Sequence, residues 1–346
     1  MKNRKWTYRL LAVLLAAAMV VMTGCSSSSK SDSSTAESGT ESSLAESSEA
    51  QSSAVESSTA ESSAAELSST AGAVSFTDQA GRQIDLDKPA DKIVALTASD
   101  CEILYALGAQ DKLVGRGEYC DYPAEVADIP SVQSGSDTNI EQILDLKPDV
   151  VIMATMDQTT DQVQQLENAG VKVVVSDAQD IAGTYDAITM LGTLTGKESE
   201  AADIIQTMKD SFDKIKESPV EGGTIYFEVS PLQYGLWAAG KGTFMDEIAT
   251  MMGLTNIFED VDGWGEVSEE QVLERNPDYI VTISMYTGEG PTPVEEIEQR
   301  SGWQDVKAVK NEAILDLDDN SLSRPVPRLA DGAKALYDFV KDHPAQ

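Results

Sequence analysis

Histidine occurs once, as His343, three residues from the end of the chain. That scarcity removes a His-ligated zinc or manganese site, and any Ser-His or Cys-His nucleophilic pair, from the rest of the sequence. A Gly-x-x-x-x-Gly-Lys-[Ser/Thr] phosphate loop is absent, as is a Gly-x-Gly-x-x-Gly after a strand. Carboxylates are plentiful, with 59 Asp and Glu against 25 Lys and Arg, but no catalytic pair is singled out. The chain therefore reads as a non-enzyme with no catalytic residue and no resident metal. Two glutamates do stand out, because nearly the same phrase is written twice. "EQILDLKPDVVI" begins at Glu141 and "EQVLERNPDYIV" at Glu270, 129 positions later.

Each copy spells a helix, a turn and a strand. Asn139 and Ser268 are good N-caps, and Gln142 and Gln271 fall at the third helical position, within reach of the cap. Leu144 and Leu273 point to a core. Pro148 and Pro277 stop each helix, Asp149 and Asp278 turn the chain, and an apolar strand follows. An acidic residue in a first helical turn favours the macrodipole by about 0.3–1 kcal/mol, whichever acid stands there. Glu at the matching place in both copies suggests a second demand. If the two units are related by a pseudo-twofold, Glu141 and Glu270 sit on matching rims of a central cleft and could grip a symmetric partner.

The remaining organisation supports two such halves. Residues 1–24 read as a signal: Lys2, Arg4, Lys5 and Arg9, then an apolar run from Leu10 to Met22 too short for a comfortable membrane span. It ends in Met22-Thr23-Gly24-Cys25. Residues 26–73 are almost all Ser, Ala, Glu and Thr, with no aromatic residue, and are expected to form a disordered tether. The body from Val74 carries 20 basic and 51 acidic side chains, so its surface repels nucleic acid and anionic headgroups. "VSFTDQAGRQIDL" predicts a hairpin, and strands then alternate with helices, which means a parallel sheet. From Glu198 to Ser218 no Gly or Pro interrupts a stripe of Ala201, Ile205, Met208, Phe212 and Ile215. That predicts a helix of ~21 residues and ~31 Å, a rigid strut. The strand pattern restarts after it. The expected domains are an N-terminal lobe over 74–197, the strut over 198–218 and a C-terminal lobe over 219–346.

The phrases "FTDQAGRQIDL", "KIVALTASDCEILYALGAQDKLVGRGEYCDYP", "NIEQILDLKPDVVI", "AAGKGTFMDEIATMMG", "GWGEVSEEQVLERNPDYIV" and "RPVPRLADGAKAL" together resemble the substrate-binding lipoproteins of ABC importers for vitamin B12, ferric siderophores and haem. This is the class with a single long inter-lobe helix, and the likeness covers essentially the whole body. "MTGC" is similar to a bacterial lipobox, which implies lipidation at Cys25 and an extracytoplasmic protein anchored to the membrane. The resemblance implies an α/β fold of two β/α sandwich lobes with mostly parallel sheets, joined by the rigid helix, with little lobe motion and a ligand cleft between. It also implies docking of Glu141 and Glu270 onto arginines of a dimeric permease served by an ATPase. Anchor and tether would keep a monomeric binder near its transporter and raise its effective concentration.

Candidate ligand contacts lie on loops after strands. Tyr119, in "GRGEYCDYP", and Trp264 match pocket aromatics of the B12-binding members. Tyr234, Trp237 and Tyr286 fall on neighbouring loops and could extend walls for a large flat ligand. The loop after Met153 reads "ATMDQTT" and lacks the Trp of the better-known B12 binders. Arg324 is a candidate cationic contact, with Arg116 beside it as a second; Arg328 is expected to support the last helix. Few basic residues near the cleft argue against a strongly anionic chelate. The reading is capture of a cobalt corrinoid first, an Fe(III) siderophore chelate second and haem third. A surface lipoprotein used for sensing or adhesion without transport is the alternative of another class. Cys101 and Cys120 follow neighbouring strands, in a compartment that permits disulfides. A bridge would close a loop of about twenty residues and stabilise by ~3 kcal/mol; two separate buried thiols are the alternative.

Overall fold

The structure is a computed structural model that describes residues 72–345, apart from 136, 156–159, 284–289 and 318–319. The signal, Cys25, the tether up to residue 71 and Tyr286 lie outside the described residues. Every described residue belongs to one compact unit, Glu66–Gln346.

A hairpin of β1 (Val74–Thr77) and β2 (Gln83–Leu86) precedes the first sheet, which is built from β3 (Ile93–Ala95), β4 (Leu113–Gly117), β5 (Ser131–Val132), β6 (Val150–Met153) and β7 (Lys172–Val175). The helices between them are α1 (Ala98–Ala106), α2 (Ile140–Asp145) and α3 (Thr160–Asn168). All pairings are parallel, in the order β5-β4-β3-β6-β7. Two helices follow, α4 (Ile181–Thr195) and α5 (Glu198–Lys216). The second sheet begins with β8 (Thr224–Ser230), β9 (Trp237–Ala239), helix α6 (Phe244–Met252), β10 (Thr255–Asn256) and β11 (Trp264–Glu266). It continues through α7 (Glu269–Arg275), β12 (Tyr279–Thr282), α8 (Pro293–Gln299), α9 (Lys307–Lys310) and β13 (Ile314–Asp316) to α10 (Leu329–Asp342). Its order is β11-β9-β8-β12-β13, with β10 also paired to β8. The β9 and β11 pairings are antiparallel and the rest parallel, so this sheet is mixed.

The central strands are apolar runs because both faces of each sheet are covered. On β3 and β6, Ile93, Ala95, Val150 and Ile152 face one cluster. Val94, Leu96, Val151 and Met153 face another. On β8 and β12 the alternation repeats, with Ile225, Phe227, Tyr279 and Val281 on one face and Tyr226 and Ile280 on the other. The cluster that holds Ile93 and Ile152 of the first sheet also holds Ile225 and Val281 of the second, through Leu191 of α4, Met208 and Phe212 of α5, Ile248 of α6 and Leu336 of α10. The lobes therefore share one continuous apolar interior, which opposes free hinge motion.

The strut is 19 residues, two short of the uninterrupted run, because Glu217 caps it. Ala201, Met208, Phe212 and Ile215 are buried as the stripe requires, and Ile205 is half-buried. The helix packs on α4, α6 and α10. Helix α4 is absent from the sequence expectations. Its outer face is Ala182, Asp186, Thr189 and Thr193, with one charge in fifteen residues, and the helix includes two glycines, so no stripe stands out. The punctuation does show: Asp180 caps its start by accepting the Gly183 N–H at 2.6 Å, and Gly196, at φ +70°, closes its end.

Candidate functional site

In the first sheet the chain leaves β3 to one side as β4 and later returns on the other as β6. In the second, β8 is flanked in the same way by β10 and β12. Such switch points open a crevice at the carboxyl ends of the strands. A cavity of about 580 Å³ lies there and is lined from both sheets. The first lobe supplies Thr97 and Ser99 after β3, Ala154 after β6, and Ser176 to Gln179 after β7. The second supplies Val229 and Ser230 of β8, Trp237, Phe244, Trp264 and Ile283 after β12, with Ser323 and Pro325 from the segment before α10.

Of the aromatic candidates, Trp237 and Trp264 meet in this cavity. Trp264 packs edge-to-face on Phe244, with ring centroids 5.4 Å apart. Phe244 went unnoticed in the sequence because it sits at the first position of α6, where it reads as core. Tyr119 is 66% exposed and Tyr234 78% exposed, and neither lines the cavity. Tyr119 is placed by a close approach: at Gly117 an added Cβ would lie 2.2 Å from the Leu96 carbonyl, so only glycine lets the loop leave β4 there.

The lobes are tied beside the cavity by the segment after β7. The Gln179 carbonyl accepts the Phe244 N–H at 3.0 Å. Its Oε1 accepts the Trp264 indole N–H at 2.8 Å. Glu247 of α6 accepts the Ile181 N–H at 2.9 Å. A second set of ties joins the loop after β4 to the segment before α10. Arg324 donates to both oxygens of Asp121, at 2.5 and 3.1 Å. Arg328 donates to both oxygens of the buried Glu102, at 2.7 and 2.9 Å, and stacks 3.6 Å above the Tyr122 ring. Arg116 is committed to the Val126 and Gly117 carbonyls. Burial alone would raise the Asp121 carboxyl; Arg324 outweighs it and holds the group below the usual carboxylate range.

Asp100 is fully buried behind the first-lobe wall. Thr97, the N-cap of α1, donates its hydroxyl to Asp100 Oδ2, while Oδ1 has no partner. Burial pushes this carboxyl up to about 6 against hydrogen bonds from Ser176 and Thr97. Cys101 Sγ lies 2.8 Å from Cys120 Sγ, both buried and both free thiols here. The two thiols face each other between α1 and the Tyr119 loop and are not bridged. Among the described residues no group of three or more His, Cys, Asp or Glu could hold a metal.

Glu141 and Glu270 both occupy the second position of their helices, and both are exposed. Helices α2 and α7 run back against the strands they precede. Their N-termini therefore lie at the carboxyl ends of the sheets, the ends that border the cavity. Ser268 forms a full capping box with Gln271. Asn139 caps α2 by accepting the Gln142 N–H at 3.1 Å, but the Gln142 side chain turns instead to the Gln133 N–H. The backbone N–H of Glu270 and the Ser268 side chain hold the Glu270 carboxyl below its usual range.

Two β/α lobes, a strut between them and a cavity at both switch points define a two-lobed ligand-capturing protein. The chain belongs to the periplasmic binding protein family, whose sequence model matches residues 93–321. It is 33% identical over 275 residues to the uncharacterized ABC transporter substrate-binding lipoprotein YvrC of Bacillus subtilis, covering 77% of this chain and 85% of that protein. It is 31% identical over 251 residues to the vitamin B12-binding protein of Salmonella paratyphi A, covering 71% of this chain and 89% of the relative. The crystal structure of a possible iron-binding (periplasmic solute-binding) protein from Staphylococcus epidermidis superposes with a TM-score of 0.62 at 32% identity, over 73% of this chain and 99% of that one. These relatives are binding proteins rather than enzymes. Among the described residues no helix is long and apolar enough to cross a membrane.

Proposed function

We propose that this protein is an extracytoplasmic, lipid-anchored receptor that captures a corrinoid or a ferric-siderophore chelate and delivers it to a dimeric ABC permease. The observation that carries the reading is the cavity of about 580 Å³ between the lobes, walled by Trp237, Phe244 and Trp264. Its size falls within the range of small-molecule sites, and aromatic walls with a few placed polar groups suit a large, partly flat ligand. Tyr119 and Tyr234 extend the same kind of surface outward for a ligand that protrudes from the cavity. The vitamin B12-binding relative supports the corrinoid, and the possible iron-binding relative supports the ferric chelate.

Delivery rests on Glu141 and Glu270. Each is exposed, at the same helical position, on the cavity-facing end of its lobe. Neither has an ion-pair partner among the described residues. A two-sided permease presenting one basic residue to each would read them as a pair. Lipidation of Cys25 and the Ser/Glu tether would hold the receptor within reach.

The test is uptake into vesicles reconstituted with the permease and ATPase. Glu141→Ala and Glu270→Ala are expected each to lower uptake about tenfold or more while leaving chelate affinity unchanged. Unimpaired uptake by the double variant would remove the docking role, and with it the argument against a sensing or adhesion protein.

A further inference from the structure

We infer that the cavity selects an uncharged or cationic chelate over an anionic one, and that Asp121 enforces this by occupying Arg324. The inference rests on the proposed reading of the cavity as a chelate site and names the charge class it admits.

The walls of the cavity contain no Lys or Arg. The stretches at 136, 156–159, 284–289 and 318–319 contain none in their sequence either. Arg324 stands between two lining residues, Ser323 and Pro325, and is the cation best placed to meet an anionic ligand. Its guanidinium is instead held by both oxygens of Asp121 from the opposite lobe. The Arg324 side chain is 14% exposed and that of Asp121 52%, so the anion covers the cation on the solvent side. Lys241, on the turn before α6, is exposed and is not part of the lining.

Several of the polar side chains that line the cavity are engaged within the protein. Thr97 spends its hydroxyl proton on Asp100, and its oxygen accepts the Asp100 N–H at 3.2 Å. Gln179 spends its amide N–H on Asp177 Oδ1 at 3.0 Å, and Trp264 spends its indole N–H on Gln179. Ser323 donates to the Asn320 carbonyl at 3.2 Å. Asp177 lines the cavity as a carboxylate, and the buried, unpartnered Oδ1 of Asp100 adds negative potential behind Thr97 and Ser99. Among the lining side chains, the hydroxyls of Ser99 and Ser230, the Trp237 indole N–H and the second amide N–H of Gln179 are donors with no acceptor assigned. A neutral ligand with both donors and acceptors, or one carrying an ammonium group to meet Asp177, suits such a wall. A carboxylate or catecholate chelate would bring its charge against acceptors with no free cation to meet it.

The experiment is a binding titration of the protein with four probes: cyanocobalamin, a neutral ferric trihydroxamate, a ferric trihydroxamate bearing a free ammonium group, and an anionic ferric tris-catecholate. At least one of the first three is expected to bind ~100-fold more tightly than the tris-catecholate, with the gap narrowing as salt rises. Asp121→Asn, which uncovers Arg324, is expected to raise tris-catecholate affinity about tenfold, and adding Arg324→Gln to cancel the gain. Preference of the wild-type protein for the tris-catecholate would overturn the inference and leave the chelate reading standing, as would an Asp121→Asn variant with unchanged affinity for the anion. Failure of all four probes to bind would overturn the chelate reading itself, and the inference with it.

Discussion

Asp149 and Asp278 occupy the same place in the two lobes and perform the same task. Asp149 accepts the Asp91 and Lys92 N–H groups, at 3.1 and 3.0 Å, just before β3. Asp278 accepts the Thr224 N–H at 2.9 Å and its hydroxyl at 2.7 Å, at the start of β8. Each carboxylate thus fixes the opening of its lobe's first central strand to the strand beside it. Helix and strand must be separated by a sharp turn to place it. Lys147 and Asn276 adopt left-handed backbone, φ 51° and 45°, ahead of the buried Pro148 and Pro277. The repeated Pro-Asp is therefore a strand-registering device, separate from the role proposed for the glutamates at the helix starts.

Asp278 is buried and also accepts Lys307 Nζ at 2.9 Å, whereas Asp149 is exposed. Removing the buried one leaves more polar groups without partners. Asp278→Ala is expected to destabilise by about 2–3 kcal/mol and Asp149→Ala by about 1 kcal/mol. Burial alone would raise the Asp278 carboxyl, but Lys307 and Thr224 hold it below the usual range. Its contribution is therefore present above the ordinary carboxylate pKa of about 4 and is lost as pH falls through the lower folded-state value. Urea unfolding at pH 7 should show the full Asp278→Ala defect, and unfolding in strong acid a reduced one.

Asp100 has the opposite sign. Its carboxyl is raised to about 6 in the folded chain, chiefly by burial. The folded state then holds its proton more tightly than the unfolded state, and the associated stability is present below about pH 4 and lost as pH rises toward 6. Asp100→Asn keeps an acceptor for Thr97 without the buried charge. It is expected to stabilise the protein at pH 7.5, by on the order of 2 kcal/mol, and by much less at pH 4. Thermal unfolding of both proteins at the two pH values measures the difference. Equal stability at both would show that the charge is paired.

Arg300 and Glu228 form the most deeply buried ion pair of the second lobe, with N–O distances of 2.6 and 2.8 Å. Arg300 also bonds Glu296 and lies 4.5 Å above the Trp303 ring. Burial pulls the guanidinium pKa down, and the two carboxylates outweigh it. Arg300→Met alone is expected to cost about 3–5 kcal/mol, because it leaves Glu228 buried and unpaired. Combining it with Glu228→Leu should recover part of that loss. Chemical denaturation of the single and double variants measures the coupling.

Much of the architecture was legible because punctuation and periodicity agreed. The strut showed in Ala201, Met208, Phe212 and Ile215, and the matched lobes showed in the doubled phrase. What escaped was short or weakly patterned. Helix α4 has a single charged residue, Asp186, on its outer face, and β9, β10 and β11 span only two or three residues each. At the site, Trp237 and Trp264 were visible as aromatics on loops near a strand end. The polar wall was not, because Thr97, Ser176 and Asp177 lie on separate β/α turns and converge only through the parallel order of β3, β6 and β7. The pairing of Arg324 with Asp121 was hidden for the same reason: the partners are 203 positions apart.

The central claim is that a metal chelate binds between the lobes, against Trp237 and Trp264. Emission from these two residues, followed while the protein is titrated with cyanocobalamin and with ferric trihydroxamates, tests it most directly. Trp303 is fully buried in the second lobe and should stay silent. The account predicts a saturable one-to-one emission change for at least one chelate, with affinity reduced about tenfold or more in Trp264→Ala. No change with any corrinoid or ferric chelate, or one that persists unaltered when both Trp237 and Trp264 are replaced by Phe, would contradict it.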